Sequence, residues 1–339
     1  MKTIMQDIAK IAGVSPGTVS NALNNRKGVG KDTKEKIIKI AEEMGYFRNT
    51  KKSEGKVIRL IKYKKNGHIV ADTPFFSSLI EACEKECRKN GYELLISQIV
   101  YGEHTKEDVY KIINSNKSDG ILLLATEMDE SDFKYFDNVE IPIVVIDSYF
   151  KELNYDYVVI NNIKGAYSAT KYLIDKGHRN IGLLGSNIEI RNFKYIFEGY
   201  KNALDSFGLA FNENNNIYVD PTMDGAYSDF KIYLENNKGN LPTAIFALND
   251  IIALGAIKAM NEVGINVPND VSLVGFDDIP FASYSIPELT TVKVHTNTMG
   301  KTAVKRLIEA IENDIEVSVK IEIDTEFIER QSVKVLFKD

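Results

Sequence analysis

From Val57 onward, short apolar runs rich in β-branched residues alternate with amphipathic stretches of about 10 to 17 residues. This alternation is the pattern of βαβ units, because parallel neighbours need a crossover long enough to return the chain to the same end of the sheet. Strands are predicted at VIRLIKY from 57, YELLISQI from 92, GILLLA from 120, IPIVVID from 141, NIGLLG from 180, TAIFAL from 243 and VSLVGF from 271. Helices fall between them. The segment FSSLIEACEKECRKNG puts Leu79, Ile80, Cys83 and Cys87 on one face, and AYSATKYLIDKG precedes His178. So long a run exceeds one sheet of usual size, and two doubly wound lobes are predicted.

The first 48 residues follow a different pattern. Thr3 and Gln6 have the spacing of a capping box; Ile4, Ile8 and Ile11 then share a helical face, and Gly13 stops the helix. Ser15 can cap a second helix with Pro16 at its first position, where a missing N–H costs nothing, and Val19, Ala22 and Leu23 face inward. A third helix follows Gly30, with Ile37, Ile40, Ala41 and Met44 as its stripe and Gly45 at its end. Three short helices with so tight a first turn describe a helix-turn-helix, although helix spacing alone also admits a small bundle that binds nothing. The outer face of the second helix favours the former. Pro16, Gly17, Thr18, Ser20 and Asn21 are small and uncharged, which allows close entry into a major groove. Thr18 and Ser20 suit phosphates, Asn21 can pair with an adenine edge, and Ser15 and Asn24 complete the candidate DNA-facing set.

The net charge of -6 would discourage a polyanionic partner if it were evenly spread. It is not. Residues 1–56 hold 12 Lys and Arg against 6 Asp and Glu, and the remainder 30 against 42. A basic head on an acidic body suits nucleic acid at one end only, though a solvated basic tail gives the same count. No window approaches the roughly 18 apolar residues of a membrane helix, and MKTIMQDIAK lacks the order of a secretory signal, so a cytoplasmic protein is expected. Cys83 and Cys87 have no partners elsewhere, so no disulfide, metal site or cofactor is expected. Catalysis is not expected either. There is no GxGxxG after the first strand, no P-loop and no HExxH; His68, His104, His178 and His295 are scattered, and His178 reads as a helix-to-strand corner residue.

The run TIMQDIAKIAGVSPGTVSNALN, with KEKIIKIAEEMGYFRN after it, resembles the headpiece of the LacI family of bacterial transcription regulators. The likeness extends over essentially the whole chain through PFFSSLIEACEKECRKNGYELLI, VVINNIKGAYSATKYLIDKGHRNIGLLG, ALNDIIALGAIKAM, VPNDVSLVGFDDIPFASYSIPELTTV and ERQSV. It implies a helix-turn-helix headpiece at 1–48, a linker at 49–56, and at 57–339 a two-lobed α/β fold of the type I periplasmic-binding-protein kind. It also implies base reading at the positions of Pro16, Gly17 and Asn21 and a near-palindromic double-stranded operator; because one helix-turn-helix reads only half a site, a homodimer is expected. Two departures stand out. The junction Arg48-Asn49-Thr50-Lys51-Lys52-Ser53-Glu54-Gly55-Lys56 lacks the family's hinge-helix proline and leucine, so it reads as a polar linker whose Lys51, Lys52 and Lys56 can touch phosphates. The family's arginine three residues before the glycine of an EGF- or EGY-like motif is replaced here by Ile196, before Gly199.

Open parallel sheets bind ligands beyond the carboxyl ends of their strands. Asp147 ends IPIVVID, Arg191 follows NIGLLG, Asn249 and Asp250 follow TAIFAL, and Asp277 with Asp278 ends VSLVGF. Each alone reads equally as a cap or turn former. Four such loops meeting at one cleft suit a polyhydroxylated ligand, with Phe75 and Phe76 covering its apolar face. The resemblance implies that Asp147, Asn249 and Asp277 occupy effector-contacting positions and that Phe75 and Phe76 lie near the cleft mouth; the polyhydroxylated ligand these side chains suit is expected to be a sugar. Arg191 is the candidate to supply the charge missing at Ile196; a ligand of another class, or a protein partner, is the alternative. A secreted sugar-binding protein would share the body without the head.

Overall fold

A computed structural model of the chain describes residues 2–23, 29–43, 56–70, 73–115, 117–237, 240–313 and 317–336, the side chains of 2–6, 31, 42 and 43 excepted. The chain divides into two compact units, Met1–Lys56 and Val57–Asp339.

In the first unit, α1 (Lys2–Ala12), α2 (Pro16–Leu23) and α3 (Lys31–Glu43) enclose a small core of Ile8, Ala9, Ala12, Val19, Ala22, Ile37 and Ala41. Gly13, at φ 73°, takes the left-handed conformation that ends α1, and the Val14 N–H returns to the Ala9 carbonyl at 3.0 Å. Ser15 caps α2 as its sequence predicts, its Oγ accepting from the Thr18 N–H at 3.1 Å. One expected core residue is corrected: Ile11 is 57% exposed. Ala12, four residues after Ile8, stays on the buried face, whereas Ile11 lies roughly 110° from that face's centre at 100° per residue. Helix α1 also begins at Lys2, which places Thr3 inside its first turn rather than at its cap. Asn24, Met44, Gly45 and linker residues 49–55 lie outside the described residues, while Lys56 opens the first strand instead of closing a linker.

The second unit holds two sheets. The first contains β1 (Lys56–Lys64), β2 (Tyr92–Val100), β3 (Gly120–Leu124), β4 (Ile143–Ile146) and β5 (Asp156–Ile160), with α4 (Pro74–Lys89) and α5 (Lys106–Asn114) as crossovers. The chain then moves into the second lobe through α6 (Asn162–Asp175), β6 (Ile181–Ser186), α7 (Arg191–Ser206), β7 (Asn216–Val219), α8 (Met223–Asn237), β8 (Ala244–Ala247), α9 (Asp250–Glu262), β9 (Ser272–Asp277) and β10 (Thr290–Lys293). It returns to pack α10 (Thr296–Glu312) on the first sheet, adds β11 (Lys320–Ile323) there, and crosses once more to add β12 (Glu326–Ile328) to the second. Among the described residues the orders are β11-β5-β4-β3-β1-β2 and β12-β10-β9-β8-β6-β7. All registered pairs are parallel except β10 with β12.

The central strands are buried on both faces, as the full burial of β3, β4 and β8 records, because helices cover both sides of a parallel sheet. Helix packing is close. A Cβ on Gly199 would strike the Ile163 carbonyl of α6, and one on Gly300 would lie 2.7 Å from the Cβ of Ala82 on α4. Cys83 and Cys87 sit in that α4 interface as free, buried thiols, which burial pushes up to about 12, so they behave as packing residues. His178 bridges Thr243 Oγ1 at 3.0 Å and the Lys334 carbonyl at 3.2 Å, tying the α6–β6 corner to the C-terminal segment. No helix among the described residues is long and apolar enough to cross a membrane.

Candidate functional site

Each sheet reverses its winding once. In the first, β2 lies to one side of β1 and β3 to the other; in the second, β7 and β8 flank β6 in the same way. Loops leaving the carboxyl ends of strands at these two switch points diverge from one another and leave a crevice. Here the two crevices share one cavity with about 270 Å³ of room.

The first lobe supplies a loop at 65–70, the start of α4 and the ends of β3 and β4. The loop is shaped by a single carboxylate. Glu127 Oε2 accepts from the N–H groups of Lys65, Asn66 and Gly67 at 2.7, 2.9 and 3.1 Å, and Oε1 from those of Ile69 and Val70 at 3.0 and 2.7 Å. Burial opposes its ionisation, but the N–H groups of Val70, Asn66, Gly67 and Lys65 outweigh burial and hold its carboxyl below the usual range. Phe75 and Phe76 follow in the first turn of α4, their rings edge to face at 5.0 Å, and both line the cavity. Asp147 ends β4 at φ 78°, a conformation costly for a residue with a Cβ. Its Oδ2 accepts from Thr126 Oγ1 at 2.5 Å, and its Oδ1 is buried without a hydrogen-bond partner. Burial raises its carboxyl; the Thr126 hydroxyl and the nearby Asn192 amide pull the other way, the amide without hydrogen-bonding geometry to Oδ1.

The second lobe supplies the ends of β6, β8 and β9. Asn249 caps α9, its Oδ1 accepting from the Ile252 N–H at 2.9 Å, which leaves its NH₂ toward the cavity it lines. Asp277 ends β9 at φ 112° and lines the same space; burial, then Asp250 and Asp147, raise its carboxyl well above the ordinary value. Asp250 lies behind it, fully buried, with Thr291 Oγ1 donating to its Oδ1 at 2.6 Å and the Ile279 N–H to its Oδ2 at 2.9 Å. Asp278 is turned away onto Arg330 at 2.6 Å.

Five of the six expected cleft residues, Phe75, Phe76, Asp147, Asn249 and Asp277, therefore meet at one cavity. Arg191 does not. It starts α7, ion-pairs with Glu130 at 2.9 Å and lies 4.5 Å from the centre of the Phe150 ring, so its charge is spent between the lobes outside the cavity. The residues that follow it in the first two turns of α7, Asn192, Phe193 and Ile196, line the cavity instead. Sequence reasoning also passes over Thr126, Asn162 and Thr222, which line the cavity from positions that read as ordinary strand ends and caps. His68, on the Glu127-held loop, reaches across the mouth to Asp220 at 3.0 Å.

On α2, Ser15, Pro16 and Gly17 are exposed and Thr18, Ser20 and Asn21 half-buried. The Ser15 and Thr18 hydroxyls share a hydrogen bond at 2.9 Å. A Cβ on Gly17 would meet only Ser15 Oγ, at 3.6 Å, so the head's own packing does not demand glycine there.

Residues 4–49 match the family described as bacterial regulatory proteins, lacI family, and residues 170–333 a periplasmic binding protein-like domain. The chain is 33% identical to the HTH-type transcriptional repressor PurR of Pasteurella multocida, covering 98% of this chain and 99% of that one. It is 31% identical to the ribose operon repressor of Haemophilus influenzae, over 97% and 98%. A solved complex of the transcriptional regulator CelR with cellobiose superposes with a TM-score of 0.73 at 25% identity, covering 97% of this chain and 99% of that one.

Proposed function

This chain belongs to the lacI family of bacterial regulatory proteins, and from that premise we propose that it is a homodimeric, cytoplasmic repressor whose operator affinity is set by a sugar in the inter-lobe cleft. The observation that carries the reading is the cavity itself: carboxylates and amides at the carboxyl ends of both sheets, with a pair of phenylalanine rings beside them. Polar groups of this kind accept from and donate to vicinal hydroxyls, while the rings cover the apolar face of a pyranose or furanose. Two of the relatives carry a sugar in their names, ribose in one and cellobiose in the other, which supports the same class.

On this reading α2 enters the major groove, Asn21 reads a base, and Ser15, Thr18, Ser20 and Asn24 contact the backbone beside Pro16 and Gly17. The ligand bridges the two lobes and shifts operator affinity by its differential affinity for the two states of the body. No bond is made or broken, and no cofactor or metal takes part. The test is a thermal-shift screen against sugars, sugar phosphates and nucleobases, since a ligand at about 100 times its Kd stabilises by roughly 2.7 kcal/mol. The hit must also alter operator binding, and Asp277→Ala must lose that response while still binding operator. A normal response in Asp277→Ala removes the cleft from the reading, and a hit among nucleobases replaces the sugar.

A further inference from the structure

The cavity holds two carboxyls, those of Asp147 and Asp277, without a cation to match them. Asp147 Oδ1 and Asn162 Oδ1 are buried with no hydrogen-bond partner, on residues only 2% and 4% exposed. Among the described residues the Asp277 carboxylate has no hydrogen bond or counter-ion. The nearby hydroxyls are already committed, Thr126 to Asp147 at 2.5 Å and Thr222 to Asp220 at 2.5 Å. No lysine or arginine among the described residues lines the space; Ile196, 3% exposed, lines it from α7, Arg191 is held by Glu130, and Lys320, in an adjoining pocket that shares Asp147, pairs with Glu322 at 3.1 Å. His68, at the mouth, faces Asp220.

An unpaired carboxylate in a largely apolar cleft is costly, and two facing the same space more so. A neutral hydroxyl brings one donor, and the Asn162, Asn192 and Asn249 amides can answer its lone pairs, but it brings no charge. An ammonium brings three donors, no acceptor and the missing charge. Phe75 and Phe76 line the space, and a phenylalanine face favours a cation over a neutral group. An acid or phosphate would meet two carboxylates and no cation. We propose that the ligand of this cleft carries a primary ammonium group seated between Asp147 and Asp277, so that among carbohydrates it takes an amino sugar rather than a neutral or acidic one. The carbohydrate part rests on the sugar reading above; the ammonium part rests on two carboxyls facing a space that no described cation lines.

The experiment uses the full chain with matched sets by calorimetry: glucosamine, galactosamine and mannosamine, the N-acetyl derivative of each, and the parent hexoses, with glucose 6-phosphate, gluconate, putrescine and guanine as further arms. One amino sugar is expected to bind, with its N-acetyl derivative and parent hexose at least about tenfold weaker. Asp277→Asn is expected to erase most of that difference by weakening the amine alone; the N-acetyl comparison stands without any variant. A parent hexose, acid or phosphate that binds as tightly as every amine overturns the ammonium and leaves the sugar reading intact. Binding by putrescine alone overturns the sugar and retains the ammonium. Binding by guanine alone, or by nothing in the panel, overturns the amino-sugar assignment.

Discussion

Three carboxyls around the cleft, those of Asp147, Asp250 and Asp277, are raised above their ordinary values, in each case chiefly by burial. For Asp250 the shift runs from 3.8 up to about 7, the Thr291 hydroxyl and Ile279 N–H only partly opposing burial. A carboxyl raised by folding keeps its proton where the unfolded chain has released it, so its stabilising contribution is present below the unfolded value and lost as pH rises through the folded one. For Asp250 that window is about pH 4 to 7. Asp250→Asn should therefore flatten the fall in melting temperature between about pH 4 and pH 7; an unchanged slope would assign the fall to other groups. On the head, Asn21→Ala should weaken binding to the true operator by roughly 1 to 3 kcal/mol more than binding to random DNA. Equal losses on both, in salt-matched titrations, would remove Asn21 from base reading.

Glu127 turns a segment without regular hydrogen bonding into a fixed rim. Glu127→Ala strands five backbone N–H groups and should cost on the order of 3 kcal/mol, with faster hydrogen exchange confined to residues 65–70 and weaker ligand binding. Exchange unchanged in that loop would mean water replaces the carboxylate at no cost. This device is not legible in the sequence, where Glu127 sits in the acidic run TEMDE and its partners lie 57 to 62 residues away. What is legible follows from periodicity. Central strands such as GILLLA and IPIVVID read correctly because both faces are buried, and β11 and β12 escape because edge strands carry charge, as Lys320, Glu322 and Glu326 do. Asp147, Asn249 and Asp277 are legible because they end such strands. Arg191 misleads because a loop position does not reveal which neighbour, here Glu130 from the other lobe, claims the charge.

At the scale of the molecule, Phe281, Tyr284 and Ile286 are 52%, 82% and 86% exposed within six residues of chain, a concentration of apolar surface that a second copy would cover. If the homodimer uses this face, Tyr284→Asp with Ile286→Asp should give a monomer by sedimentation, with operator affinity reduced and sugar binding kept. A dimer that persists would place the interface elsewhere. The interleaved path of the chain carries a different consequence. The first sheet gets α10 and β11 only after the second has received β10, so neither lobe is encoded by one continuous stretch. A message truncated at about codon 295 would spare the head and nearly all of the second sheet, yet strip the cover from β3, β4 and β5. The lobes cannot be inherited, exchanged or lost one at a time.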